Sequence, residues 1–183
     1  MRFPFINTFS RREDGSLSVE AVLVLPILIW AMVATLVMWD AFKTLNISQK
    51  ATYTVADMVS REEVEISESY LASLLEIYGF LANSDGDNAL RVSVVTLVED
   101  QNTAVQSLEL LCSRGLGGID DYDNISQIED RIPTMALGDQ LIVVESEQEW
   151  APAFAVGLAS YRFREVALAR PRYAPQVLLE ACP

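Results

Sequence analysis

From Ala21 to Trp39 the chain runs for 19 residues without a charged side chain. A helix rises about 1.5 Å per residue, so this run measures about 28 Å, against ~30 Å for the hydrocarbon core of a bilayer. It leaves no polar face for water, unlike the amphipathic helix of a soluble protein. Arg2, Arg11 and Arg12 precede the run, and Asp40 follows it at once. By the positive-inside rule the N-terminus stays cytoplasmic and the following chain is exported. The run is longer than the ~7–15 apolar residues of a cleaved secretory signal, and no A-x-A site follows Trp39, so a retained anchor over residues 21–39 is expected. Trp39 suits the far membrane interface, while Trp30 packs mid-span against lipid or a neighbour. Pro26 removes one backbone hydrogen bond within the run, which predicts a bend and not a break.

The 183 residues suffice for one ordinary domain beside this anchor. A chain that is 51% hydrophobic and 21% charged has the composition of a folded protein. Its formal charge of −13 argues against nucleic acid as a partner, because phosphate binding needs a basic face. It has no histidine, and so lacks the commonest general base and metal ligand. There is no G-x-S-x-G, phosphate loop or cysteine–histidine pair. The expectation is a chain that is not an enzyme, with no cofactor and no small-molecule substrate. No catalytic residue or metal ligand is assigned. Cys112 and Cys182 are the two cysteines. In an exported domain a disulfide is favoured over free thiols, and it would pin the C-terminal tail.

A carboxylate, Glu20, stands at the mouth of the apolar run, and Gly15 lies five residues before it. Snorkelling to the interface and a favourable helix dipole account for Glu20 alone, but not for Gly15. Gly15, Ser16 and Glu20, after a basic leader and before a spanning helix, resemble the type IV prepilin signature. That resemblance implies cleavage between Gly15 and Ser16 by a membrane-embedded prepilin peptidase, which would remove residues 1–15. The new α-amino group would be largely protonated near neutral pH. Between staggered subunits it can meet the Glu20 carboxylate of a neighbour, which makes Glu20 the register residue. Such a pair fixes stagger because a misplaced neighbour leaves Glu20 unpaired in an apolar setting.

The stretch RREDGSLSVEAVLVLPILIW, residues 11–30, is similar to the start of the TadE/TadF-like pseudopilins of tight-adherence (Tad/Flp) pilus systems. Val19-Glu20 and Leu25-Pro26 carry that likeness, which is strong over residues 11–39 and loose beyond. It implies a minor pilin-like subunit acting in assembly of a bacterial adhesive pilus. The implied partners are prepilin peptidase, other pilin-like subunits, the inner-membrane assembly platform and membrane lipid. It also implies a single-pass protein of the bacterial inner membrane, with a periplasmic C-terminal domain that stays in the membrane or enters the pilus. A major Flp pilin would be far shorter, and the Asp-x-Ser-x-Ser run of the larger TadG-type proteins is missing. Two alternatives stay open: a minor pseudopilin of a type II secretion system, and an unprocessed membrane-anchored periplasmic scaffold or binding protein.

Beyond Trp39, Phe42, Leu45, Val55, Met58 and Val59 fall near one helical face, predicting a helix over 16–61, either continuous or kinked near Asn46. Ser67 reads as an N-cap with Ile66 and Leu71 as a hydrophobic staple. Tyr70, Leu71, Leu74, Ile77, Tyr78 and Leu81 then form the stripe of a second helix ending near Asn83. The run NSDGDN at 83–88 is expected as a turn, not a calcium loop, because its twelfth position is Val94. Residues 90–98 and 106–112 read as paired strands, and 138–146 and 161–168 as two more. RGLGGIDDYDN is expected as a loop whose Asp120, Asp121 and Asp123 are solvated rather than metal-bound. SQIEDRI is expected as a short helix opened by a Ser126–Glu129 capping box. Arg162, Arg164, Arg170 and Arg172 form either a charged strand face or a dock for an acidic partner. The predicted fold is α+β and pilin-like: a long N-terminal transmembrane helix, a second helix, then a small antiparallel sheet, with the exported domain at 62–183.

Overall fold

The computed structural model describes residues 16–84, 86–100, 104–180 and 182. Its elements follow the expected order. Helix α1 spans Ser16–Ser60 and α2 spans Glu68–Ala82. Strands β1 (Asn88–Glu99), β2 (Gln106–Leu116), β3 (Gln140–Trp150) and β4 (Tyr161–Ala169) follow. The four strands form one sheet in the order β2-β1-β3-β4, every pairing antiparallel. The fold is α+β.

The chain divides into two compact units: the helix up to Asp40 together with Pro152–Leu158, and Ala41–Ala151 together with Ala159–Pro183. In the first, α1 runs without interruption through Pro26. Most of its apolar side chains stand exposed, Val22 at 71% and Trp39 at 70%. It is long and apolar enough to cross a membrane, and is compatible with a single-pass anchor.

In the second unit α1 continues with no break at Asn46, whose side chain donates to the Phe42 carbonyl one turn back. The buried helix face is Ser48, Ala51, Thr52, Val55, Ala56 and Val59. Phe42, expected on that face, is exposed. The apolar half of the helix has no polar side to mark a face, so extrapolating a stripe from it misplaces the start. Ser67 caps α2 by accepting from the Tyr70 N–H, and Asn83 ends it in the left-handed conformation at φ 50°. The stripe that α2 buries is Leu71, Leu74, Tyr78 and Ala82. Leu81 is exposed and Ile77 half-buried, because the buried stripe runs through Tyr78 and Ala82, one position round the helix from each.

One sheet face carries Leu90, Val92, Val94, Cys112, Ile142, Val144 and Ala167, packed with Val55, Val59, Leu71, Leu74 and Tyr78 of the helices. The opposite face carries Val95, Leu141 and Val143, covered by Ile128 and Met135 from the connection between β2 and β3. With both faces covered, β1 and β3 are buried almost end to end. The register shift between Val94 and Val95 leaves Leu111 of β2 as the extra residue, and it is exposed.

Two expectations for the connection are corrected. β2 runs to Leu116, taking Arg114, Gly115 and Leu116 out of the expected loop, because all three pair with β1. A side chain at Gly115 would strike the Ile119 carbonyl, so glycine lets the chain fold back there. The helix expected over 126–132 is two 3-10 turns, Ile125–Gln127 and Glu129–Arg131. The capping box is Asn124 with Gln127, two residues upstream of the expected pair. Asn124 wins because its short amide side chain reaches the turn's free N–H groups from an extended backbone.

The tail closes on the domain. Ile66 bridges Leu179 in parallel, with Ile66 N–H donating to the Leu178 carbonyl and Glu180 N–H to the Ile66 carbonyl. Val177 and Leu179 are buried. Cys112 and Cys182 are joined, with Cα atoms 5.7 Å apart and a separation of 70 positions in sequence. A loop of that length corresponds to about 4 kcal/mol in the chain-entropy description of the unfolded state. The hydrogen-bonded tail retains part of its order without the bridge. Replacing both cysteines by serine is therefore expected to cost about 2–4 kcal/mol in thermal unfolding, with the domain still folded at 25 °C.

Candidate functional site

Of the residues singled out in the sequence, Gly15 lies outside the described residues. Ser16 is the first residue of α1. Glu20 sits one turn later and is exposed among exposed apolar neighbours. Among the described residues no side chain pairs with it. A carboxylate at a helix N-terminus is electrostatically favoured.

The second unit holds α1 by polar as well as apolar contacts. Ser48 Oγ lies 2.7 Å from Tyr78 Oη, linking α1 to α2. Thr52 Oγ1 lies 2.6 Å from Ser146 Oγ, linking α1 to β3. Ser48 and Thr52 are fully buried. These pairs fix the rotation and height of α1 against the domain, because sliding the helix would orphan buried hydroxyls. The sequence alone does not single them out. The available signal was two polar residues four apart on the face that continues into Val55 and Val59. Tyr78 is pushed to a higher pKa chiefly by burial, so its hydroxyl stays protonated and available to these contacts. Burial also raises the pKa of Glu165 on β4.

On the other face of the sheet lies a buried ion network that the sequence did not single out. Arg91 of β1 and Glu145 of β3 are direct cross-strand partners. Arg91 Nε and Nη2 donate to Glu145 Oε2 at 2.8 and 2.6 Å, and Nη1 donates to the Asp120 carbonyl at 2.8 Å. Glu145 Oε1 accepts from Tyr122 Oη at 3.0 Å and from Arg131 Nη1. The Arg91 guanidinium lies 3.4 Å from the centroid of the Tyr122 ring. Burial first, then Glu145, raises the Tyr122 pKa. A cleft of about 410 Å³ opens beside these groups. Its arginines are already held by carboxylates, as Arg162 and Arg164 are by Glu147. The network fastens the connection between β2 and β3 onto the sheet.

Asp120, Asp121 and Asp123 of the acidic loop are exposed. Asp121 accepts from Gly115 N–H and from Arg114. Among the described residues no cluster of carboxylates or cysteines has the makings of a metal centre. Arg170 pairs with Asp139 and Arg172 with Asp57, so each of the four basic residues near the C-terminus meets a carboxylate of its own domain.

Comparison with protein-family models, with curated proteins and with solved structures finds no match.

Proposed function

We propose that this chain is a minor pilin-like subunit, similar to the TadE/TadF-like pseudopilins, acting in assembly of a Tad/Flp-type pilus in the bacterial inner membrane. Prepilin peptidase would cut between Gly15 and Ser16, and α1 would then begin at its new amino terminus. The observation that carries the proposal is a single helix with two surfaces. Its first half offers exposed apolar side chains and Glu20, while its second half is clamped into a sheet domain by Ser48, Thr52 and the valines. A subunit that must stack at a fixed stagger needs an exposed apolar helix half for its neighbours and a second helix half that its own domain holds in place. A helix held only by apolar contacts could slip, and the buried hydroxyl pairs oppose that.

The test is the N-terminus of the protein recovered from membranes. Edman sequencing or intact mass is expected to give a chain beginning at Ser16, and a Gly15→Leu variant is expected to keep residues 1–15. Recovery of wild-type chains retaining Arg11 and Arg12 would remove the proposal and leave a tethered periplasmic domain.

A further inference from the structure

The β3–β4 connection is longer and more apolar than a hairpin requires. Residues 151–161, APAFAVGLASY, contain no charge in a chain that is 21% charged. Phe154 is 59% exposed and Leu158 41% exposed, with Tyr161 exposed directly after them. A solvated loop does not ordinarily present such a run, because loops in water favour polar and turn-forming residues.

Its place in the fold supplies the occupant. Pro152–Leu158 shares a compact unit with the apolar half of α1 up to Asp40, although the strands on either side of it belong to the other unit. Along that exposed helix Val33 and Ala34 are half-buried and Val37 is buried to 3%. A helix standing alone cannot bury a valine so completely, and Pro152–Leu158 is the other described segment of its unit. The loop and the apolar half of α1 thus belong to one unit, and Val37 marks where that half of the helix is covered. That position is two residues, about 3 Å of helix rise, from Trp39 at the end of the uncharged run. If α1 spans a bilayer, this is the depth of the lipid headgroup boundary, where aromatic side chains are at ease.

We propose that residues 152–158 form a second membrane contact, a loop that dips Phe154 and Leu158 into the outer boundary of the same bilayer that α1 crosses. The loop then adds a second lipid contact to the one that α1 makes. This rests on the anchor reading of α1 and adds an interaction surface to it. The ligand is lipid, recognised by apolar area and not by charge, since the loop has none.

The experiment uses the full chain in phosphatidylcholine vesicles, with its native cysteines oxidised. Phe154→Cys, Leu28→Cys and Phe80→Cys variants are each labelled with an environment-sensitive fluorophore. Quenching by lipids carrying a nitroxide near the headgroup or deep in the acyl chain is compared with quenching by aqueous iodide. The label at 154 is expected to be quenched several-fold more by the shallow nitroxide lipid than the label at Phe80, which is 84% exposed on α2. The Leu28 label reports the deep nitroxide. A Phe154 label quenched only by iodide, while Leu28 reports lipid, overturns the loop contact and leaves the anchor standing. Shielding of the Phe154 label from both quenchers places protein on the loop and also overturns it. If the Leu28 label too is reached only by iodide, the anchor and the loop contact fail together.

Discussion

Glu145→Ala is expected to destabilise the sheet domain by about 3–5 kcal/mol, the usual cost of leaving a buried charge without its partner. Glu145 and Arg91 are 6% and 10% exposed at the side chain. Truncating the carboxylate leaves the Arg91 guanidinium enclosed, with one backbone carbonyl and the face of Tyr122 as compensation. For a domain of this size the shift corresponds to a loss of ~10–15 °C in Tm. Arg91→Ala should cost less, because Glu145 keeps Arg131 and Tyr122. The double variant Arg91→Met/Glu145→Leu should recover most of the loss, since an apolar pair of similar volume has no desolvation penalty to offset. Thermal unfolding of the four proteins, followed by near-ultraviolet circular dichroism, checks the ranking. A double variant as unstable as Glu145→Ala would mean that packing of the connection, and not the buried charge, sets the effect. A second readout comes from Tyr122. Glu145 contributes to its raised pKa by accepting its hydrogen bond and by its charge, so the phenol should titrate lower in Glu145→Ala.

That network shows where the sequence stops being legible. The elements themselves were readable from local signals. Nineteen uncharged residues give the apolar half of α1, Ser67 and Asn83 bracket α2, and the β-branched runs mark four strands. Pairing across 54 residues has no local signature. Yet Arg91 alternates with Ser93 and Val95 on one face of β1, and Glu145 with Leu141 and Val143 on one face of β3. A charge at such a position is either exposed or paired across the sheet, and strand register decides which. The sequence expectation of one packed face missed the connection lying over the other. That connection lacks helical or strand periodicity, and its cover comes from scattered residues, Tyr122, Ile125, Ile128, Ile132 and Met135. The capping error has a similar origin. Asn124–Gln127 and Ser126–Glu129 both fit the spacing, and only backbone geometry chooses between them. Glu20 is the opposite case: its position was plain in the sequence, while its partner, if the proposal holds, lies in another molecule.

Glu20→Ala is therefore expected to separate folding from assembly completely. Glu20 is exposed and its nearest neighbours are exposed apolar side chains, so the Tm of the sheet domain should move by less than about 1 °C, as for other surface substitutions. Cleavage before Ser16 should proceed, since the glycine and the leader are untouched. Incorporation should fail. A protonated amine about 4 Å from a carboxylate, at an effective dielectric near 20, gains about 4 kcal/mol before desolvation. A net third of that figure is about tenfold in each subunit contact, and losing it at every contact compounds along a filament. Glu20→Gln tests charge against shape, because it keeps the side chain's length and hydrogen-bonding capacity while removing the anion. If Gln assembles like the wild type, a hydrogen bond suffices and the ion pair is not the register device. If Ala also co-purifies with partner subunits and supports surface pili, Glu20 has no part in stacking, and the exposed helix is an anchor alone. The informative pattern is an Ala and a Gln variant that are both processed, folded and membrane-bound, yet missing from the assembled fibre. That pattern requires a positive partner for Glu20 that this chain does not itself supply elsewhere among its described residues, and a freed amino terminus on a neighbouring subunit is the group the proposal provides.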